Sequence, residues 1–295
     1  MFCADDELRC KKGKMKYTKY HALGNDYIVI HPAGSTNGMS RDMIRLICHR
    51  NYGVGSDGIL FGPLNSQSCD FGLKIFNPDG SEAEKSGNGL RIFARSIIDN
   101  SFADKSAFTI ETLGGPVSCE VSADRKVVKV EMGIVSFDST IIPVNGTPRE
   151  VINECIEVDG HSLKFCAATV GNPHCIVVSE EPTPEIARRF GPKVETSSRF
   201  PNRTNVQFLR VLDRSNIQIE IWERGAGYTL ASGSSSTAAA AVARKLGLCD
   251  DEITVHMPGG QIEIQFDNDF MATMTGSVTK ICEGNIDEEM FEKIL

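Results

Sequence analysis

The chain uses one design twice, and the spacing between the copies is nearly constant. Asn77–Leu90 reads NPDGSEAEKSGNGL and Glu223–Ser236 reads ERGAGYTLASGSSS, each a polar, Gly-rich loop that passes through a Ser-Gly pair into a helical run. Ser86 and Ser232 are offset by 146 residues, as are Asn77 and Glu223. Gly24–Ile30 (GNDYIVI) recurs as Gly171–Val177 (GNPHCIV) at 147, and Phe108–Gly115 (FTIETLGG) recurs as Ile253–Gly260 (ITVHMPGG) at 145. Three stretches that agree within two residues, at about half of a 295-residue chain, predict a duplicated domain. That length supports two domains of ordinary size, each with its own core. Two like units then face each other across a cleft, with Ser86 and Ser232 on its opposite sides.

Both repeated loops lead into helices. Leu90, Phe93, Ala94, Ile97 and Ile98 fall at i, i+3, i+4, i+7 and i+8, the apolar stripe of a helix. Thr237–Leu246 is nearly all Ala and Val, so the second helix is expected to be buried on every side. Gly247, after Arg244 and Lys245, is its stop signal. Two helix N-termini therefore offer free N–H groups, which favour an anion such as a carboxylate or phosphate.

Elsewhere strands dominate. Alternation from Lys16, through Tyr27–His31, Phe71–Phe76, Phe108–Thr112, Val117–Val121 and Lys126–Met132, predicts a sheet in the first half. Leu163–Thr169, Cys175–Ser179, Val206–Val211, Ile217–Trp222 and Ile253–Phe266 predict the same in the second. Ser40–His49 reads as a capped helix and Thr183–Phe190 as a short one. The class is α+β: two pseudosymmetric domains, each a curled sheet around a central helix. Expected boundaries are an N-terminal extension at 1–14, a first domain at 15–133 plus 277–295, and a second at 134–276. The Gly-rich loop Gly53–Gly58 lacks the Gly-Lys-Ser/Thr of a phosphate loop and leads into a strand, so that reading is set aside.

A net charge of −8 with no basic stripe argues against nucleic acid as partner. No apolar run reaches membrane-spanning length. Met1–Lys14 carries Asp5, Asp6 and Glu7 and no apolar segment of a secretory signal, so a cytoplasmic protein with a short flexible extension is expected. The ten cysteines (Cys3, Cys10, Cys48, Cys69, Cys119, Cys155, Cys166, Cys175, Cys249, Cys282) form no C-x-x-C pair and read as free thiols. Six histidines form no ligand spacing, so no metal is expected.

From Met15 onward the chain resembles the diaminopimelate epimerase family. The likeness rests on Leu23–Asp26 (LGND), Asn77 with Asp79–Glu82 (DGSE), Ser86–Gly89 (SGNG), Gly171–His174 (GNPH), Asn202–Asn205 (NRTN), Glu223–Gly227 (ERGAG) and Pro258–Gly260 (PGG). It implies a β-barrel-like sheet around a central helix in each half, and a pyridoxal-independent site between them with no cofactor. It also implies a homodimer and an amino-acid substrate of lysine biosynthesis. In such enzymes one thiolate removes the α-proton and a second thiol delivers one from the opposite face. The resemblance places the substrate α-carboxylate on the amides of Gly87, Asn88, Gly233 and Ser234. It gives the rest of the substrate to Asn25, Asn77, Asn172, Asn205, Glu223 and Arg224, with Arg224 suited to a distal carboxylate.

At the two thiol positions this chain carries Ser86 and Ser232. A hydroxyl is several pK units less acidic than a thiol, and each unit is about 1.4 kcal/mol. Tyr228 stands where a carboxylate is usual, Ser235–Thr237 replaces a small, Gly-containing run, and Gly58 stands where a polar amide is common, which together point to natural divergence. The leading expectation is a cofactor-independent amino-acid racemase or epimerase with Ser86 and Ser232 as the catalytic pair. Alternatives are an isomerase or lyase that uses a non-thiol base, or a silent amino-acid-binding homologue. Among other groups in the loops, Asp79 and Glu82 read as loop hydrogen-bonders, His174 as a turn-orienting residue and Lys85 as a solvated surface lysine.

Overall fold

The computed structural model describes residues 15–32 and 38–292. The extension at 1–14, with Cys3 and Cys10, lies outside the described residues. The first half runs β1 (Met15–Ala22), β2 (Asn25–Ile30), α1 (Arg41–Cys48), β3 (Ile59–Leu64), β4 (Phe71–Phe76), β5 (Glu82–Ala83), α2 (Gly87–Asp99), β6 (Ala107–Thr112), β7 (Gly115–Val121) and β8 (Val127–Ile134). The second runs β9 (Glu154–Val158), β10 (His161–Thr169), β11 (Pro173–Val178), α3 (Pro184–Glu195), β12 (Asn205–Asp213), β13 (Asn216–Glu223), β14 (Gly227–Thr229), α4 (Gly233–Lys245), β15 (Glu252–Met257), β16 (Gly260–Phe266) and β17 (Met271–Ser277), before β18 (Thr279–Ile286) returns to the first.

The duplication is visible in strand register. Parallel β2 and β3 place Ile28 opposite Ile59, and parallel β11 and β12 place Cys175 opposite Val206, so both partners move by 147. Phe76 faces Glu82 across β4–β5, and Trp222 faces Tyr228 across β13–β14, both moved by 146. Since a slip of one residue would turn every side chain to the other face, the repeated register preserves the repeated core. Val117, Cys119 and Val121 of β7 point inward, as do Ile262, Ile264 and Phe266 of β16. Pairing of β8 with β17 joins the two halves into one hydrogen-bonded sheet, and β18 pairs with β1 in the first half.

Each half curls around one helix. Leu90, Phe93, Ala94 and Ile97 of α2 are fully buried, and α2 packs on β1, β2, β3, β7 and β8. Burial of each large side chain among them contributes roughly 1.5–3 kcal/mol. Ala238–Ala243 of α4 are likewise inaccessible, and small side chains let β10–β13 and β15–β17 close around the helix from all sides. In α1 the Ser40 hydroxyl accepts the Met43 N–H as a cap, and Ile44, Ile47 and Cys48 form the buried face.

Two expectations change. α3 continues past Phe190 to Glu195 although Gly191 and Pro192 read as a stop. Tertiary contacts hold the extra turn: the Glu195 carboxylate accepts from Trp222 Nε1 at 2.7 Å and from the Gly225 amide at 3.0 Å, and pairs with Arg203. Gly191 is required there, because a Cβ would come within 2.5 Å of the Trp222 ring. The two repeated loops also contain the short strands β5 and β14, which fold each loop back on the strand before it and aim the Ser-Gly pair at the next helix.

Candidate active site

The N-termini of α2 and α4 abut. A Cβ on Gly87 would lie 3.5 Å from the Gly233 Cα and 2.8 Å from the Met274 methyl, and one on Gly233 would lie 2.9 Å from the Met274 sulfur. Glycine at both positions is therefore a condition of the approach. Ser86 and Ser232 cap the two helices: the Ser86 Oγ accepts the Gly89 N–H at 3.1 Å, and the Ser232 Oγ accepts the Ser235 N–H at 3.5 Å. Both serines line one cavity of about 530 Å³ together with Gly87, Asn88, Gly233 and Ser234. The positive ends of two helix dipoles thus converge on one space, an arrangement that attracts a carboxylate.

The two hydroxyls have different partners. Tyr27 Oη lies 3.2 Å from the Ser86 Oγ. Burial pushes the Tyr27 phenol up to about 12, and the Glu223 charge adds to the rise. Glu223 shares the cavity wall with Ser232; burial raises its carboxyl, with Asp57 adding to the shift and the Ser232 hydroxyl opposing it. A neutral phenol contacts Ser86, and a carboxyl group lines the cavity that holds both serines.

Amides fix the walls. Asn88 Nδ2 donates to Asn25 Oδ1 at 3.0 Å, and Asn25 Nδ2 donates to the Asp57 carboxylate at 2.9 Å. One repeat further on, Asn172 Nδ2 donates to the Ser234 hydroxyl at 3.3 Å. Within α2, Arg91 is fully buried and its Nη2 donates to Asn88 Oδ1 at 2.7 Å, so a guanidinium orients the Asn88 amide. Arg50 pairs with both Asp26 and Asp57. Burial alone would raise the Asp26 carboxyl, but hydrogen bonds from Arg50 and Lys19 outweigh it and hold it at about 2.

A second cavity of about 610 Å³ adjoins the first and shares Asn77, Ala83, Lys85, Gly87, Asn172 and Ser234 with it. Arg224 lines this second space and donates from Nη1 to the Asn202 carbonyl at 3.1 Å. A protein-family model described as diaminopimelate epimerase matches residues 17–137 and 166–281. The chain belongs to the diaminopimelate epimerase family. It is 60% identical over 277 residues to Diaminopimelate epimerase 2 of Nostoc sp., covering 94% of this chain and 97% of that one. Diaminopimelate epimerase 1 of the same Nostoc is 35% identical over 278 residues, covering 92% of this chain and 99% of that one. Among solved structures, a hydroxyproline epimerase from Agrobacterium vitis with bound trans-4-hydroxy-L-proline superposes with a TM-score of 0.70 at 14% identity, covering 94% of this chain and 93% of that one. At that identity the likeness is one of fold.

Of the positions matched to the family's substrate-binding residues, Asn25, Asn77, Gly87, Asn88, Asn172, Glu223, Gly233 and Ser234 line the first cavity. Asn205 lines neither cavity: its side chain donates to the Pro173 carbonyl and accepts the Arg224 amide N–H, so it shapes the turn that carries Arg224. Lys85, expected as a solvated surface lysine, is half-buried. Its Nζ donates to the Met132 carbonyl at 2.5 Å, and burial lowers its pKa. Tyr228 lines the same cavity, and its hydroxyl donates to Glu220 at 2.7 Å. Asp79 accepts from Ser81, as a loop carboxylate should, and His174 is fully buried with Nε2 3.0 Å from Asn172 Oδ1. Tyr27 and Asp57 are cavity residues that sequence reading passed over; the only signal for Tyr27 is that it falls 147 residues before His174 in the repeated GN motif. Among the described residues no cluster of three His, Cys, Asp or Glu could hold a metal, and no helix is long and apolar enough to cross a membrane.

Proposed function

We propose that this chain is a cofactor-independent amino-acid epimerase acting on diaminopimelate or a close relative by proton transfer at Cα. The observation that carries the reading is the meeting of two serine-capped helix N-termini at Gly87 and Gly233, in one cavity. Bound there, a substrate α-carboxylate takes the amides of Gly87, Asn88, Gly233 and Ser234, and the two helix dipoles stabilise the charge that develops as Cα loses its proton. Ser86 and Ser232 then stand on opposite faces of Cα. Asn25, Asn77, Asn172 and Glu223 hold the remaining polar groups, and Arg224, set by Asn205, receives a distal carboxylate from the second cavity. The cleft lies between domains at 15–133 plus 277–295 and at 134–276. The name of its relatives fits a place in lysine biosynthesis, and we take a cytoplasmic homodimer as the setting.

Arg224 tests the substrate class. Arg224→Ala removes a charge-assisted contact worth about 1.5–3 kcal/mol, which corresponds to roughly tenfold to a hundredfold in affinity. Calorimetric titration should show that loss for diaminopimelate and little change for a monocarboxylic amino acid such as lysine. Equal weakening of both removes the assignment of the distal carboxylate to Arg224.

A further inference from the structure

The repeat makes the two faces of the cleft comparable position by position, and at the proton-handling groups they differ. Position 27 corresponds to 174 and position 77 to 223. In the second half His174 is fully buried and turned to Asn172, while Glu223 lines the cavity together with Ser232. In the first half Asn77 donates to the Ser81 hydroxyl at 3.0 Å, and Tyr27 reaches Ser86. Each half thus supplies one ionisable group to the cavity that holds the serines, Tyr27 from one repeat position and Glu223 from the other. The phenol's place depends on Gly58, since a Cβ there would lie 2.6 Å from Tyr27 Cε1.

We propose that Tyr27 is the proton relay for the Ser86 face of the cleft, as Glu223 is for the Ser232 face. This deepens the epimerase reading and rests on it. With Glu223 ionised and Tyr27 neutral, the Cα–H bond facing Ser232 breaks, its electron pair stays on the substrate, and its proton passes to the Ser232 Oγ as the Ser232 hydroxyl proton passes to Glu223. A new C–H bond forms on the opposite face with the Ser86 hydroxyl proton, and the Tyr27 phenolic proton replaces it on Ser86. The substrate has lost one proton and gained one; Glu223 is left protonated and Tyr27 as phenolate. Exchange with water, or turnover of the opposite stereoisomer, restores the resting state. Tyr27 does not touch the substrate in this scheme and acts through Ser86.

Tyr27→Phe keeps the ring and removes only the hydroxyl. Stereoisomers of diaminopimelate incubated with the variant in D₂O should be inverted roughly tenfold to a hundredfold more slowly than by wild type, within the range of a general acid or base, with KM nearly unchanged. For the stereoisomer whose Cα–H faces Ser232, deuterium incorporation should persist without inversion, because the Ser232–Glu223 pair still removes the proton and returns a deuteron to the same face. Glu223→Gln should give the mirror pattern. A structural role for Tyr27 would instead lower exchange of both stereoisomers together. That result, or inversion at the wild-type rate, overturns the relay while leaving the epimerase reading intact. Absence of exchange in wild type as well overturns both.

Discussion

Ser86→Cys combined with Ser232→Cys is expected to raise racemisation on the order of a thousandfold over wild type. A thiol near 8.5 is about seven pK units more acidic than a hydroxyl close to that of water. With roughly half of that difference felt in the transition state, as in thiolate chemistry generally, the gain is about three decades. The scaffold favours it, because each thiol would cap a helix N-terminus, where thiolates are stabilised. Either single replacement should give Cα exchange with little gain in inversion, since one thiol can return a proton only to the face it came from. Chiral chromatography and deuterium incorporation on the three variants separate these outcomes. A wild type faster than the double variant would mean that the serines belong to a different scheme, and no gain in any variant would mean that the cleft binds without turnover.

Acid should destabilise the fold through His174. Burial lowers this imidazole from 6.5 to about 3 in the folded chain. Between those values the unfolded state binds the proton and the folded state does not, so stability increases with pH across the window and is lost as pH falls from 6.5 towards 3. Integrated, the contribution reaches up to about 5 kcal/mol. Asp26 has the same sign in a lower window, from 3.8 to about 2, as its pairs with Arg50 and Lys19 are protonated away. Glu223, whose carboxyl is raised, works in the opposite sense. The His174 part is therefore read as a difference: urea unfolding of wild type and His174→Gln from pH 7 to 3 should converge as pH falls, because only wild type loses the histidine contribution. Parallel curves would place the acid sensitivity elsewhere.

Much of this molecule was legible before any coordinates, because a duplication writes itself as a constant offset. The offsets at Ser86, Gly24 and Phe108 foretold the strand registers that recur at β2–β3 and β11–β12. The α2 stripe and the Ala-rich α4 likewise foretold which segments would be enclosed. What escaped was set by contacts distant in the chain. β5 and β14 are too short to show alternation, and each is held by one neighbouring strand. α3 runs through Pro192 because Glu195 is tied to Trp222 and Gly225, residues that no local propensity includes. Tyr27 reads as one more aromatic in a strand; only the fold brings its hydroxyl to Ser86. Lys85 reads as solvated until β8 supplies the Met132 carbonyl.

Wild-type protein in D₂O with each diaminopimelate stereoisomer, followed by proton NMR at Cα and by chiral separation, addresses the central claim most directly. Proton transfer between two serine faces predicts slow loss of the Cα proton signal accompanied by inversion, with deuterium in the inverted product. Tight binding of the same compounds, with the Cα proton retained over days and no inverted product, would contradict it.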